Sequence, residues 1–462
     1  MSNLSIRCRQ SIIFAFLMVC TSSLWPYSPY TTRELDELEK EFVQQINHSS
    51  SVIKNPLAVE YINHLGKRLA QYAEISPAPR FFIVNSNEIN AFAGPGGYIG
   101  IHSKLILATS NEHELAAVMA HEIAHVRLHH LYRFIEHQKQ MRIPMLASLL
   151  ASIALGVINP TLASGAMMAS LTGFAQDNIN FTRANEKEAD RIGIDMLKKA
   201  GFNPKGMITF FYKMQQNSRY YYTANIPQIL RTHPLDEDRI AEAENRCMNL
   251  QHQKFTEGRD YYFFKEIIRN HMTSEPSYLT NYYTKTCGNH PSCQYGLVLT
   301  LLNTHHYHEA QLKLAPLISM DKTNLFYLLA LGQSQVYLND PKGIRLLQEL
   351  YNNYPNNYAL IHAYSEALMQ TNQPLKASFV LLKGTRQFKE DLALCHQLAF
   401  AQAQANQSAY AYLTEAKCQT LEGNYKDALH KLKLVKSQAK HDAYLFARAS
   451  AMISDIKFLL KK

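Results

Sequence analysis

Five consecutive residues, His121-Glu122-Ile123-Ala124-His125, read as H-E-x-x-H. On a helix, positions i and i+4 share a face, so both imidazoles can reach a single cation. Glu122 falls beside them and can take a proton from an attacking water. A catalytic zinc takes three protein ligands and keeps one position open, so two histidines need a third partner on another element. Glu186, in Asn185-Glu186-Lys187-Glu188-Ala189-Asp190, is the candidate. Asp190 stands four residues on, along the same helical face, where it can orient a ligating imidazole through that ring's other nitrogen. Glu188 points away by helix geometry and reads as a surface charge. An acidic helix is ordinarily a solvated face, and only the pairing with H-E-x-x-H singles this one out. Together these residues imply a hydrolase with one zinc ion per chain.

The elements around these residues must hold them still. Residues 30–75 read as amphipathic helix, ending at Ser76-Pro77-Ala78-Pro79. Phe81-Phe82-Ile83-Val84 predicts a short buried strand. Asn90 to Ile101, with Gly94-Pro95-Gly96-Gly97 in its middle, predicts strand, turn, strand. Thr109 or Ser110 can cap the next helix, with Glu112 completing a capping box on Thr109. Leu115, Val118, Met119, Ile123 and Val126 supply the buried side of that helix. A further helix is expected from Asn185 to Ala200, stopped by Gly201 with Pro204 just beyond.

Four motifs in this order and spacing resemble the zinc metallopeptidases that include the CAAX prenyl endopeptidases and the HtpX-like proteases. They are Asn90-Ala91-Phe92-Ala93 with Gly96-Gly97-Tyr98, His121 to His125, Glu186 to Asp190, and Thr232-His233-Pro234. The resemblance covers residues 30 to 250. It implies a mainly helical zincin-type domain with a small β-sheet whose edge strand binds substrate. It makes His121, His125 and Glu186 the zinc ligands and Glu122 the catalytic base. It places His233 beside the metal, either polarising the transition state or ligating zinc directly. A fourth protein ligand would close the coordination shell, so a switch of His233 between the two would make the enzyme latent. Arg239 either contacts the transition state or forms a surface salt bridge. An extended peptide is expected along Tyr98-Ile99-Gly100-Ile101, held through its backbone.

At 462 residues the chain is long enough for two or three domains. A composition of 47% hydrophobic and 18% charged residues is globular, not disordered. The net charge of +9 is scattered, with no dense Lys/Arg stripe and no nucleic-acid motif, which argues against a nucleic-acid partner. Arg7 and Arg9 precede an apolar run, Ile12 to Val19, and small residues at 21–23, a secretory signal layout. An uncleaved anchor is the alternative. Residues 1–23 are therefore expected as signal peptide, 24–270 as the peptidase domain, 271–293 as a linker and 294–462 as a helical array. In that array Ala310, Gly343 and Ala377 recur at about 34-residue intervals and Ala428 follows, a pattern that resembles tetratricopeptide repeats. The fold class is thus mainly α with a small β-sheet, followed by an α-solenoid. Residues 143–175 are apolar and small in two halves, each short of the roughly 20 residues that span a bilayer. They read as a buried helical hairpin, or as a peripheral membrane contact or mobile cover. Cys287 and Cys293 flank a short polar loop, either as a bridge or as free thiols, and an odd cysteine is left over after export. His129 and His130 have no necessary role, and His305, His306 and His308 read as a solvated helix turn.

With a leader in front and repeats behind, the layout resembles the periplasmic members of the family. That resemblance implies unfolded or assembling polypeptides as substrates and the outer-membrane assembly machinery as a repeat partner. A chaperone or adaptor in which binding dominates over proteolysis is the rival reading.

Overall fold

The computed structural model describes residues 31–137, 150, 175–220, 227–248, 255, 257–439 and 441–460. The expected signal peptide and almost all of 143–175 lie outside the described residues. Among the described residues no helix is long and apolar enough to cross a membrane.

The chain opens with α1 (Thr32–His48), capped by a reciprocal box between Thr31 and Glu34. A two-residue strand β1 (Val52–Ile53) leads into α2 (Pro56–Ala70), whose Asn55 cap and Pro56 set the first turn. The sheet follows with β2 (Arg80–Val84), β3 (Ala91–Ala93) and β4 (Tyr98–His102). Its order is β1-β2-β4-β3. β2 and β4 are parallel, and the outer pairs are antiparallel. This corrects one expectation. Tyr98, Ile99, Gly100 and Ile101 lie on an interior strand whose backbone is paired on both sides, so they cannot accept an added strand. The edge strand toward the metal-binding helix is β3.

A short helix α3 (Ser103–Ala108) precedes α4 (Glu112–Arg127), the H-E-x-x-H helix. Its cap is Asn111, which accepts from Glu114 N at 3.0 Å, while the Glu114 carboxylate accepts from Ser110 N at 2.7 Å. Thr109, one of the two expected caps, is instead buried against Tyr261. Glu112, expected in a capping box, accepts from Tyr61 Oη and Gly258 N. The helix is buried on every side from Glu112 to Ala124, not on one stripe, because it runs through the middle of the core. Next come α5 (His130–His137), α6 (Ala175–Lys199), α7 (Lys205–Tyr220), α8 (Gln228–Thr232), α9 (Glu237–Cys247) and α10 (Asp260–Met272). Gly201, at φ +79, ends α6 as expected. At Gly206 a Cβ would lie 2.4 Å from His113 O, so only glycine lets α7 dock on the start of α4.

The expected linker, 271–293, is folded. It forms α11 (Pro276–Asn281), a π-helical turn (Tyr282–Thr286) and the start of α12 (Pro291–Asn303). Buried Asn270 bonds Tyr283, Gly296 and Thr300, and Tyr283 donates to Glu266. Phe263, Tyr295, Phe326 and Tyr327 carry the same apolar core onward. Polarity and proline made this stretch read as a linker, but Leu279, Tyr283 and Cys293 are buried and anchor it while most of its polar residues face outward.

The rest is helix after helix: α13 (Tyr307–Met320), α14 (Leu325–Tyr337), α15 (Pro341–Asn353), α16 (Tyr358–Gln370), α17 (Pro374–Gln387), α18 (Leu392–Gln404), α19 (Ser408–Leu421), α20 (Tyr425–Gln438) and α21 (Ala443–Leu460). Ala310, Gly343, Ala377 and Ala428 are all buried near the starts of helices, and Ala411 continues the series. His305, Asn339, Asn372 and Asn406 each take the left-handed conformation that turns one helix into the next. The array touches the N-terminal half: Glu60 accepts from Tyr358 N, and Glu390 pairs with Arg80 and Tyr98. Cys287 is bonded to Cys293, and a second bridge joins Cys395 to Cys418, leaving Cys247, among the described residues, free and buried.

Candidate metal centre

Four side chains from separate stretches of the chain converge. His121 and His125 come from successive turns of α4, Glu186 from α6, and His233 from the residue that closes α8. One donor atom of each lies within 4.8 Å of the others. His121 Nε2 is 2.9 Å from His125 Nε2 and 3.4 Å from His233 Nδ1. Glu186 Oε1 is 3.4 Å from His125 Nε2 and 3.0 Å from His233 Nδ1. His121 turns its other nitrogen to Asp190 Oδ1 at 2.9 Å. A proton on that nitrogen leaves Nε2 as a lone pair facing the cluster. Lone pairs and a carboxylate packed this closely need positive charge among them. A proton serves one pair, whereas a divalent cation serves all four donors, so the residues fit such an ion.

The electrostatics favour a cation. Burial opposes a charge on His121, but Asp190 and Glu186 prevail and hold the ring at about 10. Burial pushes His125 down to about 4, with Glu186 only partly offsetting it. Glu186 is buried, yet His233, His125 and His121 hold its carboxyl well below the usual carboxylate range.

Glu122 is 1% exposed, and among the described residues neither of its carboxylate oxygens accepts a hydrogen bond. Its Oε1 is 3.6 Å from His233 Nε2. Burial raises its pKa against the pull of His233 and His121. A desolvated carboxylate of this kind accepts a proton readily.

Residues 56–247 match the model of Peptidase family M48. Over 436 residues the chain is 34% identical to the beta-barrel assembly-enhancing protease of Escherichia coli K12, covering 91% of this chain and 87% of the relative. The chain belongs to peptidase family M48. It is a metallopeptidase. The beta-barrel assembly-enhancing protease of Yersinia pestis is 32% identical over 431 residues, 90% of this chain and 87% of the relative. The mitochondrial metalloendopeptidase OMA1 of Danio rerio is 26% identical over 224 residues, 47% of each chain.

Two expectations about this M48 peptidase need correction. Arg239 is not a surface ion pair. It is 3% exposed. Its Nε and Nη2 donate to the two oxygens of Asp190 at 2.7 and 2.9 Å, and Nη1 donates to Pro234 O and lies 3.0 Å from Glu186 Oε2. It is an internal clamp that fixes Asp190 and Glu186 of α6. His130, to which no role was given, has Nδ1 2.7 Å from His125 Nδ1, and its Nε2 is 3.5 Å from Glu188. Five residues' separation does not bring two side chains together on a helix. The chain breaks at His129, with φ +54, and restarts at His130, folding the second ring back on the first. Replacing His130 by alanine is expected to weaken metal affinity by roughly 10–100-fold, the usual cost of losing a ligand's outer partner. Competition with a chromophoric chelator measures it, and unchanged affinity would show that His130 only packs.

Proposed function

We propose that this chain is an exported zinc endopeptidase acting in periplasmic and outer-membrane protein quality control or assembly. The observation that carries the reading is the closure of His121, His125 and Glu186 around one point with unpartnered Glu122 beside it. The imidazole and carboxylate donors suit zinc. When bound, zinc lowers the pKa of water and polarises the scissile carbonyl. His121, His125 and Glu186 hold the ion. Asp190 fixes the His121 ring, and Arg239 fixes Asp190. Glu122 takes the proton of the attacking water and then hands it to the leaving amine. Two disulfides and the leader support an oxidising compartment.

An extended peptide pairs best with β3. The antiparallel ladder leaves Ala91 and Ala93 with outward N–H and C=O groups, since Asn90 and Gly94 bond β4. Ala91 is fully buried, and Ile229 N–H of α8 donates to Ile89 O. The segment carrying His233 therefore covers the start of the edge strand, and His233 would be a fourth donor to a bound metal. Both features support a latent enzyme, opened when α8 moves. Replacing His233 by alanine is then expected to raise casein hydrolysis several-fold. A fall in turnover with unchanged KM would instead assign His233 to the transition state.

In this reading residues 24–270 carry catalysis, and residues 294–462, as tetratricopeptide-like repeats, recruit substrates or an assembly machine. That the E. coli and Y. pestis relatives are beta-barrel assembly-enhancing proteases supports that setting. A chaperone or adaptor role is the second reading, favoured by the covered edge strand. A Glu122→Gln protein that performs every cellular task would make proteolysis secondary.

A further inference from the structure

Glu390 lies between α17 and α18 of the repeat array, 310 residues along the chain from Arg80, and the two side chains meet. Arg80 and Tyr98 are the first residues of β2 and β4. Arg80 Nη1 donates to Glu390 Oε2 and, at 2.5 Å, to Tyr98 Oη. Tyr98 Oη in turn donates to the same Glu390 oxygen at 3.3 Å, which closes a ring of three side chains. Resting on the reading above in which β3 takes the substrate, we propose that Glu390 is a positioning residue of the peptidase. Through Arg80 and Tyr98 the array holds the β3–β4 hairpin where β3 can pair with an extended peptide.

Tyr98 is the residue on which that hairpin closes. Gly94 N donates to Tyr98 O at 2.7 Å, and Ala93 pairs with Ile99. Between them Gly96 and Gly97 take φ of +66 and +76, so two permissive residues separate the strands. β3 is three residues long and lies at the edge of the sheet, hydrogen-bonded to β4. Its place therefore follows the start of β4 and the face of α4 on which it packs. From the other side Tyr132 of α5 accepts from Gly96 N at 3.2 Å.

The array end is firm enough to serve as an anchor. Asp391, beside Glu390, caps α18 through Leu394 N and accepts from Tyr358 Oη at 2.8 Å. Phe388 packs edge-on against Tyr358, with ring centroids 5.1 Å apart, and Tyr358 N donates to Glu60 of α2. Leu57 and Val59 of α2 pack against the core of the array. The Arg80 hydrogen bond holds the Glu390 carboxyl below its ordinary value, and burial pushes the Tyr98 phenol up to about 12. At neutral pH one is an acceptor and the other a donor, as the ring requires. Both ends of the Arg80–Glu390 pair are half exposed, so the grip is modest. It sets the hairpin, while the α2 contacts keep the array in place without it.

A hairpin released from Glu390 must be ordered each time a peptide pairs with it. That cost falls alike on bound substrate and transition state, so KM rises and kcat stays. In zinc-loaded full chains carrying Glu390→Gln or Arg80→Gln, KM for casein is expected to rise roughly two- to fivefold, what a half-exposed pair can supply. Zinc content and melting temperature should not change. Hydrogen exchange in residues 91–99 should quicken in both variants and slow again in the charge swap, Arg80→Glu with Glu390→Arg. Lys389→Gln, an exposed lysine of the same turn, should alter neither quantity. An unchanged KM, an unchanged hairpin exchange, or a swap that rescues neither would overturn the proposal. Exchange quickened over the whole chain, the mark of a merely structural contact, would overturn it too. Exchange is read without turnover. A wild type that cleaves no casein would count against the proposed function, and the hairpin exchange would still decide whether Glu390 holds it.

Discussion

Replacing Glu122 by glutamine is expected to lower turnover of an unfolded substrate by roughly 10²–10⁴-fold, the usual contribution of a positioned general base. Metal content and KM should be unchanged, because Glu122 is outside the ligand set and, among the described residues, its oxygens accept no hydrogen bond. The same substitution is expected to leave thermal unfolding unchanged or shifted upward. A buried carboxylate without hydrogen-bond donors among the described residues is costly, and His233, the nearest ion-pair partner, stands 3.6 Å away. An isosteric amide removes that cost, as expected when an active site holds a group for chemistry at the expense of stability. Rates from product release and midpoints from a melting curve check both halves. A Glu122→Gln enzyme that retained wild-type turnover would remove this residue from the reaction.

The second large effect is structural. Arg239→Ala should destabilise the fold by about 3–5 kcal/mol, since it strands Asp190 as a buried charge and loosens Glu186. Metal affinity should fall as well, because Asp190 orients His121. Arg239→Lys should rescue little, as one ammonium cannot reproduce the two-pronged grip on Asp190. The pH dependence follows. Burial alone would raise the Asp190 pKa, but Arg239 and the His121 hydrogen bond outweigh it and hold the carboxyl below its ordinary value. A depressed carboxylate contributes stability that is complete above its unfolded pKa, about 3.9, and is lost as pH falls through the folded value. Without Arg239 that contribution disappears, so acid unfolding of the variant should begin at higher pH. Coincident acid transitions in the two proteins would contradict the clamp.

Much of this arrangement could be read from residue types. The spacing of His121 and His125 on one helical face, and of Glu186 and Asp190 on another, is local information that survives folding. Asp190 falls where the helical period puts it, against His121 Nδ1. What the sequence did not carry were the consequences of packing between distant segments. The strand Tyr98–Ile101 has the composition of any buried strand, and whether it sits inside or at the edge depends on β3 returning to pair with it. His130 is brought to His125 by a chain break at His129, which no helical period anticipates. Arg239 looks like a solvent-facing arginine in an acidic run, Asp236 to Glu244, until α9 packs on α6 and buries it. The stretch 271–293 looked like a linker because its polar residues are many, but Leu279, Tyr283 and Cys293 bury it, and Tyr283 bonds Asn270 and Glu266 of the preceding helix. The repeats had a second signal that went unread. Asn339, Asn372 and Asn406 recur at about the 34-residue period and mark the left-handed turns. The pairing of Cys395 with Cys418 had no local cue, as the two lie on neighbouring helices.

Metal analysis of the purified, folded chain tests the central claim most directly. The arrangement of His121, His125 and Glu186 predicts one zinc per chain in the wild type and in Glu122→Gln, and none in His121→Ala or Glu186→Ala after mild chelation. Correctly folded wild-type protein that neither carries zinc nor takes it up on addition would contradict it.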